Sequence, residues 1–216
     1  MKSLIRILVI FCFGLIISLD SYAQTEVGAY VGLSSTNLKG DKPKDSKYLP
    51  KTGVIVGINI DIPLGKNFFL SLQPGFATGG TRVAFANYDT NEYEDSITIK
   101  LNNFVLPVLF KVTSLSPKLY FTGGFDFLFP AQSTATIDDV SIDIDEEVND
   151  FQVAMVFGLG YRIPIKKSDL CIEFRYEQGL INISEAPDPD LTYIPRVKPT
   201  ALRLIAGWQI PIKKSK

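Results

Sequence analysis

Eight segments of this chain alternate apolar and polar residues at every second position. That period is the mark of a strand with two unlike faces, because successive side chains point to opposite sides. Long polar connections at about 35–52, 78–96, 130–149 and 182–199 take turns with short ones at about 63–67, 113–118 and 163–169. Past the first two dozen residues, no stretch approaches the roughly 18 apolar residues that a spanning helix needs.

Parity assigns the faces. In the second segment Val54, Val56, Ile58, Ile60 and Ile62 oppose Gly57, Asn59 and Asp61, and in the third Phe68, Leu70, Leu72 and Phe76 oppose Ser71, Gln73 and Gly75. Phe104, Leu106, Val108, Phe110 and Val112 have Lys111 across from them. Leu119, Phe121, Phe125, Phe127 and Phe129 face away from Tyr120, Thr122, Gly124 and Asp126. The sixth segment sets Phe151, Val153, Met155, Phe157, Leu159 and Tyr161 against Gln152, Gly158, Gly160 and Arg162. The seventh sets Leu170, Ile172, Phe174 and Tyr176 against Cys171, Glu173, Arg175 and Glu177. The eighth sets Leu202, Leu204, Ala206, Trp208 and Ile210 against Arg203, Gly207 and Gln209. The first, Val27 to Leu33, is weaker. Ile97, Ile99 and Leu101 are odd whereas the apolar run from Phe104 is even, which predicts a β-bulge or a strand start near Asn102 and Asn103.

Alternation alone does not say which face is outside. A soluble lipocalin-like carrier would turn the apolar face inward around a ligand, and a membrane barrel would turn it outward. Three features favour the membrane. The apolar faces are nearly continuous, while the other faces mix glycine with small and charged residues. Phe68, Phe129, Phe151, Tyr161, Tyr176 and Trp208 fall near segment ends, where interfacial girdles lie. Short turns on one side and long loops on the other are also how outer-membrane barrels are connected. The expected fold is all-β, an eight-stranded antiparallel up-and-down transmembrane β-barrel, since lipid leaves no partner for an open sheet edge.

Residues 1–23 read as a signal peptide: Lys2 and Arg6, an apolar stretch from Leu4 to Leu19, and Ser21-Tyr22-Ala23 as the cleavage site. Residues 24–216 then form the barrel domain, placed in the outer membrane of a Gram-negative-type bacterium. Cys171 is the single cysteine after the leader and reads as a buried, inert thiol. There is no histidine, so the common nucleophile–histidine and zinc constellations are excluded. A formal net charge of −1 gives no reason to expect nucleic-acid binding.

The interior of so narrow a barrel fills with side chains. Glu173, Arg175 and Glu177 share a polar face next to Arg203, and Asp126, Lys111 and Arg162 could extend the set. Buried charges require partners, so a salt-bridge plug is expected. Paired-carboxylate catalysis by Glu173 and Glu177 is the sharper alternative, but a guanidinium between two carboxylates keeps both ionised. No catalytic, cofactor-binding or metal-binding residue is assigned.

The third long loop carries Asp138, Asp139, Asp143, Asp145, Glu146 and Glu147 without Lys or Arg. It lacks the spacing and glycine of an EF-hand, and a solvated acidic loop is the plainer reading beside Ca²⁺ binding. Partial alternation of Ile137, Val140, Ile142 and Ile144 allows a hairpin beyond the membrane. The first loop is basic, with Lys39, Lys42, Lys44, Lys47 and Lys51 against Asp41 and Asp45. It could approach the acidic loop or lipopolysaccharide phosphates. Ile-Pro-Leu at 62–64 and Ile-Pro-Ile at 163–165 and 210–212 recur at the short-turn side with lysines after them, where proline should stop pairing.

The segments Gly32-Leu33-Ser34, Leu70-Ser71-Leu72-Gln73-Pro74, Phe104-Val105-Leu106-Pro107-Val108, Gly123-Gly124, Gly158-Leu159-Gly160 and Arg175-Tyr176-x-x-Gly179-Leu180 resemble the outer-membrane β-barrel family that includes PorT-like proteins. The resemblance implies an eight-stranded barrel and little about activity. The terminal Lys213-Lys214-Ser215-Lys216 departs from the terminal aromatic common in such barrels. The leading expectation is a non-enzymatic barrel with four extracellular loops, in contact with outer-membrane lipid and lipopolysaccharide. A PorT-like subunit of a secretion or envelope assembly with a protein partner, an outer-membrane lipid-modifying enzyme and a soluble carrier are the alternatives.

Overall fold

The computed structural model describes residues 24–87, 92–114, 118–137, 139–184 and 196–212. The strands are β1 (Glu26–Gly40), β2 (Ser46–Pro63), β3 (Phe68–Leu72), β4 (Gly75–Asn87), β5 (Glu92–Thr113), β6 (Leu119–Ile137), β7 (Val140–Asp143), β8 (Gln152–Ile165), β9 (Ser168–Gly179) and β10 (Val197–Pro211). One turn of 3-10 helix, Asp145–Glu147, precedes β8. β3 and β4 are two halves of a single crossing, interrupted at Gln73-Pro74, and both pair with β2 and β5. Counted so, eight crossings pair antiparallel with their chain neighbours, and β10 returns to β1. The ring is closed, and closure satisfies every ladder that lipid would otherwise strand. β7 lies outside the ring as a hairpin on β6.

The faces follow the parity. Phe104 is 59% exposed and Leu204 53%, whereas Arg175 and Asp126 are 0%. Apolar groups out and charges in is the reverse of a water-soluble barrel, so the surroundings of this band are lipid and the soluble-carrier alternative falls. From Phe104 to Val112, β5 offers about the 9–11 residues a tilted strand needs to cross the hydrocarbon. Ile62 departs from its outward parity and is buried beside Pro63 at the end of β2.

The first three long polar segments are largely strand rather than loop. β1 runs to Gly40 and β2 starts at Ser46, while β4 and β5 leave only residues 88–91 between them. Above the lipid the outside is water, so the rule inverts: Leu38, Leu101 and Val197 point inward and are buried. The slip near Asn102 is this change of surroundings. β5 keeps its odd residues inside from Leu101 to Lys111, although Asn102 and Phe104 sit on the same outer face. A register shift does occur there, between Asn102 (opposite Gln132) and Asn103 (opposite Pro130), with the extra residue Ala131 on β6.

The lower end holds the short turns. Pro63 and Pro211 are the last residues of their strands, as expected of proline. Pro164 is not: pairing continues through Ile165 to Ser168 around Lys166 and Lys167. Arg162 N–H points toward the β6 side, where it reaches Lys118 O, and Pro164 shares that parity. β6 has already ended there, so no ladder bond is missing.

Candidate functional site

Inward residues of β2, β3, β5, β6, β9 and β10 converge on the barrel axis in tiers. Near the lower end Lys111 forms an ion pair with Asp61, which also accepts from Ser71 Oγ (2.5 Å) and Gln209 Nε2 (2.9 Å). In the middle, Arg175 Nε and Nη2 donate to Glu173 Oε1 (2.9 and 2.8 Å), and Nη2 also reaches Gln73 Oε1 (2.9 Å). Glu173 further accepts from Thr122 (2.8 Å) and Tyr120 (3.2 Å). Higher up, Arg203 Nη1 lies 2.6 Å from Glu177 Oε1 and 3.3 Å from Asp126 Oδ2. All of these charged groups are buried.

Backbone without side chains makes room for this. A Cβ at Gly160 would sit 2.1 Å from Tyr120 Cζ, and one at Gly158 would sit 2.5 Å from Glu173 Oε1. The tyrosine and the carboxylate occupy the space that β8 gives up. Tyr30 crosses Gly57 and Gly75 in the same manner and donates to the Gln73 carbonyl (3.0 Å), beside the strand break.

The five residues expected at the centre, Asp126, Glu173, Arg175, Glu177 and Arg203, therefore lie in one interior, but Arg175 does not stand between Glu173 and Glu177; the guanidinium between two carboxylates is that of Arg203, between Glu177 and Asp126. Arg175 serves Glu173 and Gln73, while Glu177 turns to Arg203. Lys111 joins this core. Arg162 does not: it forms a fork with Glu26 (2.9 and 2.9 Å) and meets Asp169 (3.2 Å) at the lower mouth. Cys171 is buried and donates to Gln209 Oε1 (3.1 Å).

A second closure lies above, and sequence reasoning missed it. Leu38, Leu101, Val148, Ile183 and Val197 form a buried apolar cluster, with Tyr48, Ile99 and Ile144 against it. The third and fourth loops supply Val148 and Ile183 and are joined where Asn149 N–H donates to Ile183 O (2.8 Å), while Ile183 N–H donates to Val197 O at the start of β10 (2.9 Å). The signal for it was the odd parity of Ile99 and Leu101. Between the two closures lies a cavity of about 40 Å³ lined by Asn103, Gln152, Glu177 and Arg203 among others. That is far below the roughly 300–1,000 Å³ of small-molecule sites.

In the acidic loop, Asp139, Asp143, Asp145, Glu146 and Glu147 are exposed, and Asp138 lies outside the described residues. Asp145 accepts from Ser133 N–H (2.5 Å) and Asp143 from Asp145 N–H (3.0 Å). Among the described residues no three Asp, Glu, His or Cys side chains are grouped to hold a metal.

A closed ring with apolar residues outside and ion pairs inside defines a small integral outer-membrane barrel. The chain belongs to the family described as outer membrane protein beta-barrel domain, whose model matches residues 22–185. The match is to the broad domain family and does not distinguish the PorT-like group. No curated protein matches the chain. Among solved structures it is similar to the outer membrane protein OprG from Pseudomonas aeruginosa, with 11% identity, 89% of this chain and 97% of that chain covered, and a TM-score of 0.47. Neisserial surface protein A gives 12%, 87%, 97% and 0.46. Ail of Yersinia pestis, the attachment invasion locus protein, gives 12%, 87%, 99% and 0.42.

Proposed function

We propose that this chain is a non-enzymatic outer-membrane barrel whose interior is plugged and whose extracellular loops are its working surface. It reaches the membrane by a signal peptide cleaved after Ala23, in residues that lie outside those described. Lipid and the surrounding lipopolysaccharide leaflet cover its sides. The observation that carries this reading is the double closure of the interior, by ion pairs at mid-height and by an apolar seal at the mouth. Solutes have no route through such a barrel, and the cavity between the closures is too small to carry one.

Two further facts support a non-enzymatic role. Glu173 and Glu177 are each buried and engaged by a guanidinium, so neither carboxylate stands free to meet a substrate. The chain has no histidine to act as base. Planar-bilayer recordings of the intact protein test the reading: only brief, small events are expected, and large stable channels would overturn it. Pull-down from native envelope identifies what the loops hold.

A further inference from the structure

Above the membrane the hairpin of β6 and β7 is two-faced. Ile137 pairs with Val140 and Ala135 with Ile142, which puts these residues on one side of the hairpin. Ile137, Val140 and Ile142 are exposed at 38%, 63% and 51%, at a height where the surroundings are water. Among the described residues β7 pairs only with β6, so its far edge presents free N–H and C=O groups. Exposed Asp139, Asp143, Glu146 and Glu147 surround this apolar edge.

Charge selects what covers it. A second β7 packed against the first would bring Asp139 and Asp143 against their own copies, and like charges facing across a strand pair are unfavourable. The complementary surface is the first loop, where Lys39, Lys42 and Lys44 are exposed and form no ion pair among the described residues. Around the ring, the β1–β2 hairpin lies half a turn from the β6–β8 connection. The acidic edge and the basic loop thus occupy opposite flanks of one rim. The bilayer holds every copy upright at one height, so the acidic flank of one copy meets the basic flank of the next without rotation.

We propose that copies of this chain associate side by side and head to tail, the β7 edge of one against the first loop of its neighbour. Because the two flanks are opposite, the contact does not close on itself and builds rows in the membrane plane. The proposal deepens the function proposed above and rests on the loops facing the cell exterior.

The test starts from a Cys171→Ser chain carrying Lys44→Cys, Asp143→Cys or both, with folding checked by heat-modifiable gel migration. The proteins are cross-linked with a bifunctional maleimide in outer membranes and in phosphatidylcholine vesicles. Mixing Lys44→Cys with Asp143→Cys chains should give dimers, and chains with both should give a ladder that 1 M salt reduces several-fold. Lys39→Glu with Lys42→Glu should abolish the ladder, and adding Asp139→Lys with Glu146→Lys should restore it. The proposal is overturned if Asp143→Cys chains cross-link to themselves as readily, if no ladder forms, or if it forms only where lipopolysaccharide is present. Labelling of Lys44→Cys on whole cells by an impermeant maleimide reads the outward orientation separately; if that residue stays unlabelled, the functional reading fails whatever the ladder shows.

Discussion

Arg175 and Arg203 stand directly opposite one another in the β9–β10 ladder, two buried guanidiniums on adjacent strands. Like charges so placed repel, and the core resolves this by sending them to different anions. Arg175 turns to Glu173 and Gln73; Arg203 turns to Glu177 and to Asp126 on β6. The barrel is thereby tied across its axis in two directions.

Replacing Arg203 with Met leaves Asp126 and Glu177 buried without the cation they share. Losing one partner of a buried pair costs about 3–5 kcal/mol. Urea unfolding followed by fluorescence of the single tryptophan, Trp208, should show that loss. Adding Asp126→Asn and Glu177→Gln should recover most of it, since no unpaired charge then remains.

Gly160→Ala should destabilise the barrel by about 1–3 kcal/mol, because the new methyl enters the ring of Tyr120. Tyr120→Ala in the same chain should cancel that penalty. A double-mutant cycle by urea unfolding checks the coupling, and additive effects would refute it.

Leu101→Asp places a charge in the apolar seal and not in the lipid band. Amide exchange should accelerate around Val148 and Ile183, while exchange of the β9–β10 ladder stays slow. Uniform acceleration throughout would show that the seal is not a separate unit.

Cys171 should resist maleimide in the folded barrel and react at once in urea, since its thiol is buried against Gln209. Mass spectrometry of the two samples reads the difference.

Calcium should leave the melting temperature of the barrel unchanged, in keeping with the scattered carboxylates of the third loop. A rise of several degrees at millimolar calcium would contradict this.

Much of this architecture was legible in the chain because lipid is a simple solvent. Between Phe104 and Val112 a single parity rule places every side chain, and the same rule puts Glu173, Arg175 and Arg203 inside. It does not choose their partners. Whether Arg175 meets Glu177 or Gln73 depends on the stagger of strands far apart in sequence, which no local pattern encodes. The rule also hides the upper strands, where Leu38 and Val197 obey water while Leu33 and Leu204 obey lipid. Read under one convention, those upper strands look like loops. Arg162 shares the inward parity of these residues but not their height: parity gives direction, not depth, and Arg162 pairs with Glu26 at the lower mouth.

On the outer face, Phe76 and Phe104 stack edge to face at 5.4 Å, and one rung higher Thr78 stands opposite Asn102, itself opposite Gln132. The aromatic rung favours the hydrocarbon boundary and the amide rung favours water, so displacement in either direction is opposed. These rungs act as a float line that fixes the vertical position of the barrel. Everything above it, including the β7 edge and the lysines of the first loop, is therefore carried at a set elevation over the membrane, and a bilayer of another thickness would change that elevation without altering a single contact inside the barrel.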